Sequence, residues 1–208
     1  MARRRVTWLL VALACFATAC AGSGFHYVKN SDDHTYFKVP ESWKLYDEDA
    51  VLKADASLSQ DERDAARETG WQTAFDGSPR PSLRHVRKAN TRYPTGEALV
   101  QELSAKAADS VSLESLRNLF FDIDGAQSGT PATVISYDLV DFDGGFHGSH
   151  LVARMSKGKV SVTLNQMAVL DQDTSKVYAL VVTCSTACYN RQQSKIEKIV
   201  DSWTVKDR

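Results

Sequence analysis

The C-terminal half of this 208-residue chain constrains its fold most, because four β-rich runs follow one another with only short turns between them. They read "ATVISYDLVDF", "FHGSHLVARM", "KVSVTLNQMAVL" and "KVYALVVTCS", and the breaks fall at Asp143-Gly144, Lys157-Gly158 and "DQDTS". Strands joined by turns this short pair antiparallel. In the third run Val160, Val162 and Leu164 alternate with Ser161, Thr163 and Asn165, the period of a strand with one face buried. The fourth run is almost continuously apolar, as a strand covered on both faces would be. After it, Ile196, Ile199, Val200 and Trp203 keep the i, i+3, i+4, i+7 spacing of an amphipathic helix, expected over about 188–203.

The N-terminal half carries weaker patterns. "TYFKVPESWKLYD" reads as a strand that breaks at Pro40, since proline interrupts a sheet ladder. Ser59 and Glu62 form a capping box that opens a short, largely polar helix to about Thr69, with Gly70 placed as its C-cap. "GWQTAFDGS" reads as a strand ending in a turn at Asp76-Gly77, and "SLRHVRK" as another strand. Thr95 is placed to cap a helix over about 96–109, with Leu99, Val100, Leu103 and Ala107 on one face. Leu113, Leu116 and Phe120 suggest a further short helical segment. Helices before, between and after an antiparallel sheet make one α+β domain.

The first residues read as an export leader. Arg3, Arg4 and Arg5 precede an uncharged run over 6–19, shorter than the roughly 20 residues that span a bilayer. Ala17-Thr18-Ala19 before Cys20 resembles a lipobox, although a lipobox usually has Leu where Ala17 stands. Residues 1–19 are therefore expected to be removed as a lipoprotein signal peptide, with a diacylglycerol on Cys20. Ordinary cleavage would instead give a secreted protein. Residues 20–33 are small and polar and read as a tether, leaving 34–208 as the domain. The expected location is the membrane surface outside the cytoplasm. Loss of the leader removes three of 25 basic residues and no acid, so 22 face 26 acidic ones. This balance gives no global attraction to nucleic acid.

Cysteine usage follows from the compartment. Cys15 lies in the leader and Cys20 takes the lipid, so Cys184 and Cys188 remain as a pair. In an oxidising compartment such a pair is expected as a disulfide. A zinc site wants more ligands, and a thioredoxin-type motif has two intervening residues where this pair has three.

The residues Phe37, Val39, Pro40 and Trp43 ("FxVPxxW"), the strand meander and the closing "IxxIVxSWTV" segment (Ile196, Ile199, Ser202, Trp203) resemble the PsbP/Mog1-like group, in particular small bacterial lipoproteins of the LpqN type. The resemblance covers roughly residues 35–206, and Ser42 stands where many members have Gly. It implies a central antiparallel sheet flanked by helices on both faces, an α/β/α sandwich, and an accessory or binding role. Members of the group attach to a photosystem in one branch and to a small GTPase in another. It transfers no site residue to this chain.

Candidate chemistry is sparse. His147 and His150 in "HGSH" could hold zinc, or activate Ser149, only if a bulge at Gly148 brought them to one face. "DFDGG" fails as a calcium loop because Phe146 and Val152 stand where Gly and Glu are required. No nucleophile elbow, P-loop or dinucleotide fingerprint occurs, so no cofactor and no catalytic residue are assigned. Arg80, Arg84, Arg87, Lys88 and Arg92 form a basic stretch without an intervening acid, suited to an anionic headgroup, a wall polymer or an acidic partner. The expected function is a lipid-anchored, non-catalytic binding or accessory module that engages an envelope protein or a small ligand. The competing readings are a metal-dependent or serine hydrolase using His147, Ser149 and His150, and a carrier of a hydrophobic ligand.

Overall fold

The structure, a computed structural model, describes residues 24–88 and 91–206. The leader and Cys20 lie outside the described residues. The chain opens with a hairpin of β1 (Phe25–Asn30) and β2 (Thr35–Pro40), followed by β3 (Lys44–Tyr46), α1 (Glu48–Ala54), α2 (Gln60–Thr69) and β4 (Gly70–Asp76). Then come α3 (Leu83–Val86), β5 (Thr95–Glu102), α4 (Ala105–Ser110) and α5 (Leu113–Arg117). The C-terminal half is β6 (Thr133–Phe142), β7 (Phe146–Lys157), β8 (Val160–Leu170), β9 (Lys176–Ser185), α6 (Thr186–Val200) and β10 (Thr204–Val205).

The main sheet has seven strands in the order β3-β4-β5-β9-β8-β7-β6, and β1-β2-β10 form a separate three-stranded sheet. Every pairing is antiparallel. On one face of the main sheet, Val100, Leu180 and Val182 pack with Ile196, Ile199 and Val200 of α6 and with Phe37 and Val39 of the small sheet. Each such apolar side chain contributes about 1.5–3 kcal/mol on burial, so the α6 stripe suffices to hold that helix. On the other face Leu116 and Ile123 cover Ala168, Ala179, Leu151 and Leu164. Layers on both faces explain the apolar run of β9, whose Val177–Thr183 stretch is buried throughout.

Four expectations change. The segment read as a helix from 96 is β5, paired with β4 and β9 at the sheet centre. Leu99 and Val100 point to opposite faces, and both faces are covered, so their adjacency mimicked a helical stripe. Thr95 is fully buried rather than capping. "SLRHVRK" contains the helix α3 because the Ser82 side chain accepts from Arg84 N and caps a turn. The tether expected over 20–33 contains β1, in which Val28 is buried against the core. Only Val28 and Asn30 of this strand are buried, too few to give an apolar alternation in the sequence. Gly70 does stand at the C-cap of α2 as expected, but in an extended rather than a left-handed conformation, and it already pairs with Gln101, so it also opens β4.

The capping box of Ser59 and Glu62 forms, and α2 has no buried residue. Cys184 and Cys188 are disulfide-bonded with Cα atoms 5.9 Å apart, joining the end of β9 to the first turn of α6.

Candidate functional site

Where β4 ends, the sequence "DGSPRPSLRHVRK" leaves the sheet and returns through Thr91 to Pro94. Asp76 is fully buried at this exit. Its Oδ1 accepts from Ser78 N at 2.8 Å, and its Oδ2 accepts from Ser82 N at 2.8 Å and from His85 Nδ1 at 2.7 Å. One carboxyl group therefore fixes both ends of the Ser78–Ser82 loop and the ring of His85. Gly77 is required beside it, since a Cβ there would lie 2.7 Å from the Trp43 ring. The return strand is held by Ser185 N donating to Thr91 O at 2.8 Å, and Gly77 N donates to Pro94 O at 2.9 Å.

This framework encloses a cleft of about 530 Å³ between the loop and residues 91–93. Arg80, Lys88 and Arg92 line it, with His85 and Asp76 at its floor and Tyr93 on its wall. All three cations are solvent-exposed, and among the described residues none makes an ion pair. The Asp76 carboxyl is occupied by its three donors. Three positive charges against the single buried carboxyl of Asp76 leave the concave surface net positive and focus the local potential, although the domain as a whole is acidic.

The structure thus divides the predicted basic stretch. Arg80, Lys88 and Arg92 converge on the cleft. Arg84 is exposed but does not line it. Arg87 turns toward Asp55, 3.4 Å away, and toward the half-buried Glu97. Burial pushes the Glu97 carboxyl up, while Arg87 pulls it down. Sequence reasoning missed Asp76 and His85 as site residues. The Asp-Gly turn is visible in the sequence, but the strand expected over "SLRHVRK" does not turn the His85 ring toward Asp76.

"HGSH" does not assemble a site. β7 keeps an unbroken register with β8 from His147 to His150, so the two imidazoles point to opposite faces. His150 Nε2 donates to Asn165 Oδ1 at 2.7 Å, and Asn165 Nδ2 donates to the Tyr189 hydroxyl at 3.1 Å. Ser149 shares the face of His147 but has no exposed surface, and its hydroxyl makes no hydrogen bond with either histidine. Among the described residues no three His, Cys, Asp or Glu side chains stand together as metal ligands. An apolar crevice between α4, α5 and Val177 measures about 240 Å³, below the roughly 300 Å³ at which ligand pockets begin.

No protein-family model and no curated protein matches the chain in sequence. Solved structures do match it in shape. The cyanobacterial PsbP of Synechocystis sp. PCC 6803 aligns with a TM-score of 0.51 and 13% identity over 91% of this chain and 99% of that one. The fold is that of the PsbP/Mog1-like group. The Ran-binding protein Mog1p of Saccharomyces cerevisiae aligns with a TM-score of 0.50 and 12% identity over 88% of this chain and 96% of that one. LpqN of Mycobacterium tuberculosis, described as involved in cell envelope biogenesis, aligns at 0.45 and 15% identity, covering 88% and 91%.

Proposed function

We propose that this chain is a non-catalytic binding or accessory module, held outside the cytoplasm by a diacylglycerol on Cys20, and that the cleft of Arg80, Lys88 and Arg92 engages an anionic group. The observation that carries the reading is the convergence of three unpaired cations on one cleft in an otherwise acidic domain. A protein surface normally pairs or disperses such charges, and an anion replaces the missing partners. The group could belong to an envelope protein or to a small ligand. The PsbP/Mog1-like fold is compatible with this role, since one neighbour of that fold is described as Ran-binding. No helix among the described residues is long and apolar enough to cross a membrane.

Two measurements test the reading. Expressed with its own leader, the protein should fractionate with membranes and carry a diacylglycerol mass on Cys20, while Cys20→Ser should release it. Calorimetric titration with glycerol phosphate should saturate with the wild type and give no heat with the R80Q/K88Q/R92Q variant. Equal heats from both proteins would remove the cleft from the account, and an unmodified Cys20 would remove the anchor.

A further inference from the structure

We infer that the Arg80–Lys88–Arg92 cleft faces the anionic phospholipid headgroups of the membrane that holds Cys20. The inference rests on the anchor and the anion site proposed above, and names the partner of that site. Its basis is where the described chain begins. Glu41 N donates to Gly24 O at 2.8 Å, and His26 Nε2 donates to Glu41 O at 3.0 Å, so the start of β1 is fastened to the Pro40–Trp43 turn. That turn abuts the basic loop. A second, shallow cleft is lined by His26, Glu41 and Trp43 on one side and by Ser78, Pro79 and Pro81 on the other. Ser78 and Pro79 also line the basic cleft, so the two share a wall.

Cys20 precedes Gly24 by four residues, a span of at most about 14 Å when fully extended. A lipid on Cys20 therefore brings this end of the domain to the bilayer surface, within one to two Debye lengths of about 8 Å. The same end carries Lys38, whose ammonium lies 5.2 Å from the centre of the Phe25 ring, and Lys44 beside the second cleft. Tyr93, 41% exposed on the cleft wall, suits the headgroup layer, where aromatic rings with a polar tip collect. Acyl chains on Cys20 already supply affinity, so the cations act chiefly on orientation. They hold the β4–α3 end of the sheet against the membrane and turn the opposite edge, β6, away from it.

The test uses the unlipidated mature chain, residues 20–208 with Cys20→Ser, and vesicles of pure phosphatidylcholine or with phosphatidylglycerol added. Sedimentation should show binding to the phosphatidylglycerol vesicles only, weakened on the order of 100-fold in R80Q/K88Q/R92Q and abolished by high salt. The variant's thermal unfolding midpoint should match the wild type, since the three side chains are exposed. Equal binding to both vesicle types, or an unchanged affinity in the variant, overturns the inference. If glycerol phosphate in solution still distinguishes wild type from variant in that case, the anion site stands without the membrane. If it does not, both readings fall together.

Discussion

Asp76 Oδ2 lies 2.7 Å from His85 Nδ1, and the carboxyl that makes this contact has no exposed surface. The pair links the sheet to the helix α3 and so shapes the cleft. Asp76→Ala would strand two backbone N–H groups and one imidazole N–H, at a cost of about 3 kcal/mol. His85→Ala would leave both backbone donors satisfied and should cost less than about 2 kcal/mol. Urea unfolding of the two variants checks the order. Equal losses would mean that Asp76 does not organise the loop.

Gly148 serves the close approach of two strands. A Cβ there would lie 2.1 Å from the carbonyl oxygen of Ala168 and 2.6 Å from the Cα of Val169, both backbone atoms of β8. Gly148→Ala should therefore destabilise the domain by about 3 kcal/mol, the upper part of the usual range for overpacking. A change within experimental error would show that β7 and β8 separate easily at this point.

The Cys184–Cys188 bond closes a short loop, and both residues are fully buried. Removing a constraint on so short a loop costs roughly 2 kcal/mol through the unfolded chain. Reduction should lower the unfolding free energy by that amount, read as a lower denaturant midpoint, and leave the far-UV circular dichroism unchanged. Complete unfolding on reduction would mean that the bond holds α6 in place rather than only closing a loop.

Stability should fall with rising pH through Glu97. Burial holds its carboxyl above the ordinary value of 4.5, with Arg87 pulling against the shift. The folded state then binds this proton more tightly than the unfolded chain does. Stability from this group is fully present below the unfolded value and is lost as pH rises through the folded one. Glu97→Gln should gain relative to wild type in chemical denaturation as pH rises above the ordinary carboxyl value of 4.5. A difference independent of pH would contradict the assignment.

How much of this was legible depends on which residues needed distant partners. The strands from Thr133 to Ser185 and the helix after them were readable, because short turns and period-two alternation are local signals. β5 was not, because Leu99 and Val100 are covered from both faces and their pattern is then shared by strand and helix. α3 was missed because Asp76, which fixes the loop leading to Ser82, lies six residues back in another element. β1 was hidden by having only Val28 and Asn30 turned inward. In the site, the basic stretch was visible as charge. Its division was not, because Arg87 is drawn off by Asp55 and Glu97, which only the fold brings near.

The most direct test of the central claim is a ¹H–¹⁵N nuclear magnetic resonance titration of the mature chain with glycerol phosphate. Saturable shifts should concentrate at Arg80, His85, Lys88, Arg92 and Tyr93 and be lost in R80Q/K88Q/R92Q. Shifts centred elsewhere, for example around the α4–α5 crevice, or none at all, would contradict it.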